Sequence, residues 1–430
     1  MNAFYKKTGQ RCLFTMFSVS VLAPVCARAV DFGIYEARGL AMGGAAVALG
    51  RGQQAQYVNP ALLAQYEGQE EDTRNGRVYL PTLVAQLSDS VESTIEVIDD
   101  ELDVSVSDAV AIYNANPNST TAAGVADAVR DLQDGLDKVG DRRINGDAYA
   151  GFSVSEPSDH AGGAFYFGVR VVAGGNSRIT QSDRELLSDY VEAIDFIVSG
   201  GSEGELHPEL RDTNGDLISP TEEIDSSATI AALAFAEWGV AFAREFQILG
   251  QSIALGATPK LLRVDVYRDV FTYGDSDINY RDDKKTHLAF NTDLGLVWRF
   301  ADVYRVGLTV KELMPYRYNT GNNLSIETKP RTRLGAAYVT DTLSVGFDYD
   351  LSSNDLLGIT ESSRQLALGL EYLPWKWLAL RGGYLQETEA SSGDIISGGF
   401  GFKFGRFVSD LAYSSSDEGE GAALQLGWSF

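Results

Sequence analysis

The chain has 430 residues, with 35 Lys plus Arg against 60 Asp plus Glu for a net charge of −25, 44 Gly, 10% aromatic residues and only 2 Cys. Affinity for a phosphate backbone needs clustered Lys and Arg, so this balance excludes nucleic acid as a partner. Abundant glycine and aromatics at ordinary hydropathy point to one large β architecture and away from a helical membrane protein.

Lys6, Lys7 and Arg11 precede an apolar run from Cys12 to Val25, and Ala27-Arg28-Ala29 puts small residues at the two positions a signal peptidase reads. The expectation is a signal peptide over 1–29 and a mature N-terminus at Val30. A lipoprotein site at Cys26 would need a smaller residue than Val25 before it. Both cysteines leave with the leader, so the exported chain has no thiol chemistry, and losing four basic residues moves its charge from −25 to about −29. Past residue 30 no run reaches the roughly 20 apolar residues of a membrane helix; Ala228 to Ala243 is too short and carries Glu237. Such a chain can span a membrane only as a closed barrel, because lipid offers unpaired backbone groups no partner.

Residues 30–76 come next. Gly39, Gly43, Gly44 and Gly50 permit close backbone approach, and Pro60 fixes a bend after Asn59. A segment too Ala-rich for a lipid-facing strand is expected to form a compact plug inside the barrel, with Gly43, Gly44, Asn59, Pro60 and Ala61 at its contacts. A leader packed beneath the barrel is the alternative. No strand precedes Gly39 and no Gly-Lys-Ser follows it, so it does not read as a phosphate-cradling loop.

A two-residue period then recurs to the C-terminus. Leu288, Phe290, Leu294, Leu296, Trp298 and Phe300 alternate with Ala289, Asn291, Asp293, Gly295, Val297 and Arg299. Ala422, Leu424, Leu426, Trp428 and Phe430 alternate with Ala423, Gln425, Gly427 and Ser429. A soluble sandwich would show the same alternation. Strand lengths near ten, aromatics at strand ends, and tight turns alternating with longer polar loops favour a transmembrane barrel. About fourteen antiparallel strands are expected over 77–430: 77–87, 148–155, 161–173, 234–246, 251–264, 286–300, 303–313, 331–340, 342–350, 364–373, 376–386, 395–404, 406–415 and 421–430. In this phase Arg170, Asp293, Arg299, Arg305, Lys311, Arg333, Asp348, Glu371 and Lys403 line the lumen. Mixed signs suit a network that rigidifies the interior more than a selective lining.

Two acidic inserts interrupt the strands. In 88–146, Val125, Val129, Leu132, Leu136 and Val139 mark an amphipathic helix that needs something to pack on. In 180–232, Leu186, Leu187, Tyr190, Val191 and Ile194 mark another. Inserts of this length are expected on the extracellular side. The second holds Asp212, Asn214, Asp216 and Glu223, spaced like an EF-hand loop but with Leu217 where the turn requires Gly, which suggests at most loosely bound Ca²⁺. Only His160, His207 and His287 are present, the last at a strand start suited to the membrane interface. No metalloprotease or serine-hydrolase motif occurs, so no catalytic residues, cofactor or enzymatic activity are expected.

The run Arg38-Gly-Leu-Ala-Met-Gly-Gly-Ala-Ala-Val-Ala-Leu-Gly50, the element Val58-Asn-Pro-Ala-Leu-Leu-Ala64 and the terminal strand ending on Phe430 resemble FadL-type outer-membrane barrels. Within that superfamily the length and the two helical inserts look most like the TraF-like barrels labelled conjugal transfer proteins. The resemblance implies an N-terminal plug, contact with outer-membrane lipids, insertion by the barrel assembly machinery, and passive transport of a hydrophobic small molecule. The TraF-like label alternatively implies an assembly factor that docks an envelope-complex protein through its acidic inserts.

Overall fold

In a computed structural model the described residues are 32–65, 76–88, 102–140, 143–201, 210–248, 250–272, 284–320, 325–355, 362–389 and 393–430. The expected signal peptide and His207 lie outside them. Fourteen strands close one antiparallel barrel. In chain order they are β1 (Arg77–Ser88), β2 (Arg143–Glu156), β3 (Ala161–Arg178), β4 (Ser227–Ile248), β5 (Gln251–Thr272), β6 (Lys285–Phe300), β7 (Tyr304–Lys311), β10 (Arg331–Val339), β11 (Leu343–Asp350), β14 (Gln365–Trp375), β15 (Leu378–Glu387), β16 (Ile395–Phe404), β17 (Phe407–Ser416) and β18 (Gly419–Ser429). Two small hairpins lie outside the ring, β8 (Tyr316–Asn319) with β9 (Ser325–Thr328), and β12 (Asn354–Asp355) with β13 (Ser362–Ser363). Every barrel strand pairs with its chain neighbours, and β18 returns to β1, with Leu424 opposite Leu83, so no sheet edge remains open.

The alternation places side chains as a barrel in lipid requires. Leu288 is 83% exposed, and Phe290, Leu294 and Trp298 also face outward, while Asn291, Asp293 and Val297 between them are buried. With no water outside the wall, this outward apolar set is the lipid-facing belt. Connections of two to four residues join β2–β3, β4–β5, β6–β7, β10–β11, β14–β15 and β16–β17 at the end that also holds Gly76 and Phe430. The long loops leave from the other end, which is the extracellular one in barrels of this type. Exposed Trp298, Tyr304, Tyr338, Trp375, Trp377, Phe404 and Trp428 ring the turn end, where amphipathic rings suit a membrane interface. Among the described residues no helix is long and apolar enough to cross a membrane.

Four strands exceed their expected bounds by five residues or more: β2 begins at Arg143, β3 runs to Arg178, β4 begins at Ser227 and β5 reaches Thr272. The expected inserts 88–146 and 180–232 therefore each give their last residues to a strand. The cause is a composition change inside one strand, since Ala228–Ala236 is small and apolar on both faces and hides the period that shows beyond it.

The inserts do not stand apart. Helices Leu102–Ala115 (α3) and Ser119–Val139 (α4) from the first and Gln181–Val198 (α5) from the second share one core with Leu210, Leu217 and Ile224. Asn118 caps α4, accepting from the Thr120 and Thr121 amides, and the Thr180 hydroxyl accepts from the Asp183 amide to start α5. The apolar stripe of α4, Val125, Val129, Leu132 and Leu136, is almost wholly buried. Asn114 bonds both N–H and C=O of Leu217, and Arg130 reaches Asp195 at 2.6 Å, tying the two loops together. The result is a helical cap at the loop end.

Candidate functional site

Residues 32–65 lie inside the ring and touch its wall all round: helix Ala37–Ala41 (α1) against β15–β18, Val47 against β7 and β10, and the 3-10 helix Pro60–Ala64 against β3–β6. A belt of inward glycines on the wall makes this fit possible. A Cβ on Gly295 would lie 2.0 Å from Asn59 Oδ1, one on Gly307 2.6 Å from the Val47 carbonyl oxygen, and one on Gly383 2.1 Å from the Gly43 amide. The inner segment thus packs backbone to backbone against several strands. Gly43 and Gly44 have φ of +62° and +83°, so the segment also turns where only glycine turns cheaply.

Polar groups hold it there. Glu371 accepts from Arg38 at 3.0 Å, Arg51 at 2.9 Å and Arg381 at 2.7 Å, two of the three guanidiniums coming from the inner segment; Arg381 also reaches Asp410. Asp348 accepts the amides of Ala46 (2.7 Å) and Val47 (2.9 Å). Ser397 accepts from the Gly43 amide at 3.0 Å. Asn59 donates to the carbonyls of Val47 and Leu296 and accepts from the Ala61 amide, so one side chain fixes the bend, its own wall and the start of the 3-10 helix that Pro60 opens. Lys311 donates to the Tyr57 carbonyl at 2.7 Å and sits 4.1 Å over the Tyr35 ring, within a cluster of Tyr35, Tyr57, Tyr149 and Tyr166.

The nine lumen positions read from sequence all sit in the inward phase. Arg170, Asp293, Arg305, Lys311, Arg333, Asp348 and Glu371 are buried, while Arg299 and Lys403 are partly exposed near the turn end. Arg170 pairs with Asp147 at 2.5 Å and Arg333 with Asp350 at 2.5 Å. The sequence reading passed over Glu237, Lys260, Glu312 and Arg331, which join Asp293 in one buried network: Lys260 lies 3.2 Å from Asp293 and 3.7 Å from Glu237, and Arg331 2.7 Å from Glu312. Their signal was available, since Lys260 and Glu237 occupy the same phase as their inward neighbours. Each ion of this network faces one of opposite sign, which offsets the cost of taking both out of water. A cavity of about 20 Å³ beside Phe32, Tyr35, Glu36, Tyr57 and Lys311 has room for about one water.

Above this charged floor the inner wall turns apolar. Toward the loop end, Arg170 gives way to Val172 on β3, Glu237 to Phe235 and Leu233 on β4, Lys260 to Leu262, Val264 and Val266 on β5, and Asn291 to Ala289 on β6. Tyr318 and Ile326 of the β8–β9 hairpin, each 3% exposed, cover this band. Asn291 bonds both N–H and C=O of Met314 at the hairpin's base. His287 lies under the hairpin rather than at the membrane interface: its Nε2 is 2.9 Å from the Asn319 carbonyl and its ring 5.5 Å from that of Tyr318.

Asp212, Asn214 and Asp216 share one tight turn, but the Asp212 carboxylate spends its oxygens on the amides of Asn214 and Asp216 and the Asn214 side chain. Glu223 follows a separate 3-10 helix, Pro220–Glu222, and no three His, Cys, Asp or Glu among the described residues come together as a metal site. His160 lies exposed in the β2–β3 turn.

The family model described as "F plasmid transfer operon, TraF, protein" matches residues 56–350. Comparison with curated proteins returns no match. Among solved structures, the chain is similar to the Pseudomonas putida toluene transporter TodX, with 13% identity, 93% of this chain and 99% of that chain covered, and a TM-score of 0.47. A Pseudomonas aeruginosa FadL homologue shows 12% identity over 94% of this chain and 99% of that one, with a TM-score of 0.47.

Proposed function

This chain belongs to the family of F plasmid transfer operon TraF proteins, and from that premise we propose that it is exported with a cleaved signal peptide, inserted into the outer membrane by the barrel assembly machinery, and passes hydrophobic or amphipathic compounds inward without an energy source. Residues 32–65 act as the plug. The observation that carries this reading is the order of surfaces along the lumen: an apolar band at the loop end, then a charged floor, then a segment that fills the bore. An apolar body gains by leaving water for the band, and the mixed-charge floor accepts a polar head group. Passage then needs both the β8–β9 hairpin, which covers the band, and the inner segment to shift.

Locking that segment is the test. The mature chain is cysteine-free, and a Cβ built on Gly369 lies 3.1 Å from the Ala45 Cβ, close enough for a disulfide after small relaxation. Liposomes holding the Ala45→Cys/Gly369→Cys variant should take up a hydrophobic fluorescent probe when reduced and stop when oxidised. Equal uptake in both states, or none by the native protein, would end the transport reading.

The cap supports a second reading, an assembly factor that docks an envelope-complex protein, because three helices from two loops build a core of their own. Replacing 102–140 by a short linker should then abolish capture of the partner from an envelope extract while the barrel still folds.

A further inference from the structure

On the outer wall of β5 the residues facing away from the lumen run from Ile253 through Leu255 to Leu261, roughly 9 residues, before the first charge, Arg263. On β6 the corresponding run from Trp298 to Leu288 spans roughly 11 residues before Thr286 and Lys284. Both lengths equal what a tilted strand needs to cross the hydrocarbon layer, so Arg263 and Lys284 stand at its loop-end edge. Register confirms the level, because Arg263 lies opposite Leu288 and Asp265 opposite Thr286.

The groups at this edge form one unit. Asp265 lies 3.1 Å from the Lys284 ammonium and 3.6 Å from Arg263 Nε, and accepts from the Thr286 hydroxyl at 2.6 Å. One carboxylate thereby positions two cations, leaving the unit a net positive charge. Their side chains stay 53% and 46% exposed, and Leu288, level with Arg263, is 83% exposed. In water an isolated pair of this kind would do little. Here it tops an outward face that is apolar but for Thr292, on a protein whose net charge is −25.

We propose that the outer face of β5 and β6 binds a phosphorylated glycolipid of the lipid A class, the Arg263 and Lys284 side chains holding a phosphate while acyl chains lie along Leu255, Leu261, Leu288 and Phe290. Charge complementarity and continuity with the lipid-facing belt choose this occupant. Long basic side chains at such an edge extend toward the head-group layer, and each contributes to attraction of an anionic lipid. The inference rests on the outer-membrane placement of the barrel and is independent of passage through its lumen.

The test titrates the purified full-length protein in mild detergent with bisphosphorylated lipid A and counts retained lipid by native mass spectrometry. Retention should fall about tenfold or more in Arg263→Gln/Lys284→Gln, and fully dephosphorylated lipid A should bind the native protein about tenfold less well. Asp265→Asn, which removes the intervening anion and keeps both cations, should tighten retention, whereas a merely disrupted surface would loosen it. Heat-modifiable gel mobility verifies the barrel in each variant. Equal retention by the native protein and the double variant, indifference to dephosphorylation, or looser retention by Asp265→Asn would overturn the site. Displacement of lipid A by millimolar inorganic phosphate would assign it to the free anion and equally overturn the lipid.

Discussion

Glu371 is the residue on which the inner segment most depends, because it faces Arg38, Arg51 and Arg381 together. Glu371→Gln leaves the buried Arg38 guanidinium without its anion, while Arg381 keeps Asp410, and a broken buried pair costs about 3–5 kcal/mol. Trypsin should then cut after Arg38 and Arg51 in the folded barrel while sparing the native protein; identical digestion patterns would contradict the latch. Asp212 shows a different kind of residue-scale control. The backbone amide of Asp216, then those of Asn214 and its side chain, hold the Asp212 carboxyl below the ordinary range. A lowered folded value means the turn is stabilised above the ordinary carboxyl pKa and loses that help as pH falls through the folded one. A carboxyl-resolved NMR titration should place the Asp212 midpoint below that of neighbouring exposed acids, and an ordinary midpoint would refute the capped turn. The lumen charges were legible because a period of two fixes which side of a wall each residue faces. The role of the wall glycines was not, since Gly295 or Gly383 reads as a weak strand position until the backbone pressed against it is seen.

At the scale of elements, sequence periodicity revealed α4 and α5 but not their union, for their shared core joins Val129 to Leu187 and Ile194 across strands β2 and β3. Nothing local in either insert encodes the other. The hairpin β8–β9 was hidden for a related reason: its strands of four residues are too short to display a period, and isolated two-stranded ribbons are marginal without a surface to pack on. A shared core makes the cap cooperative. Leu187→Ala, at a fully buried position, should cost the cap about 2–5 kcal/mol. Hydrogen exchange should accelerate in α3, α4 and α5 together while β14–β18 stay protected. Acceleration confined to α5 would mean three separate helices. The exposed Arg130–Asp195 pair should matter little, since pairs this open are worth less than about 1 kcal/mol.

For the whole molecule the decisive property is which medium its outer wall meets. Leu424 on β18 faces outward near mid-strand, between Leu83 of β1 and Leu411 of β17, on the seam that closes the ring. Leu87 faces outward too, but opposite Glu420 at the loop end, and is 53% exposed. Both would be unremarkable surface leucines in water, where exchange for arginine is close to neutral. In a bilayer the cost depends on depth: about 2–4 kcal/mol for an arginine at the midplane and about 0–1 kcal/mol near the interface. Leu424→Arg should therefore destabilise the barrel by about 2–4 kcal/mol in urea unfolding from lipid vesicles, and Leu87→Arg by no more than about 1 kcal/mol. Phe430, 48% exposed with its amide donating to the Gly76 carbonyl, belongs to the same outward row. Equal, small effects at both leucines would place this wall in water, and the reading of the chain as an outer-membrane barrel would fall with the gradient.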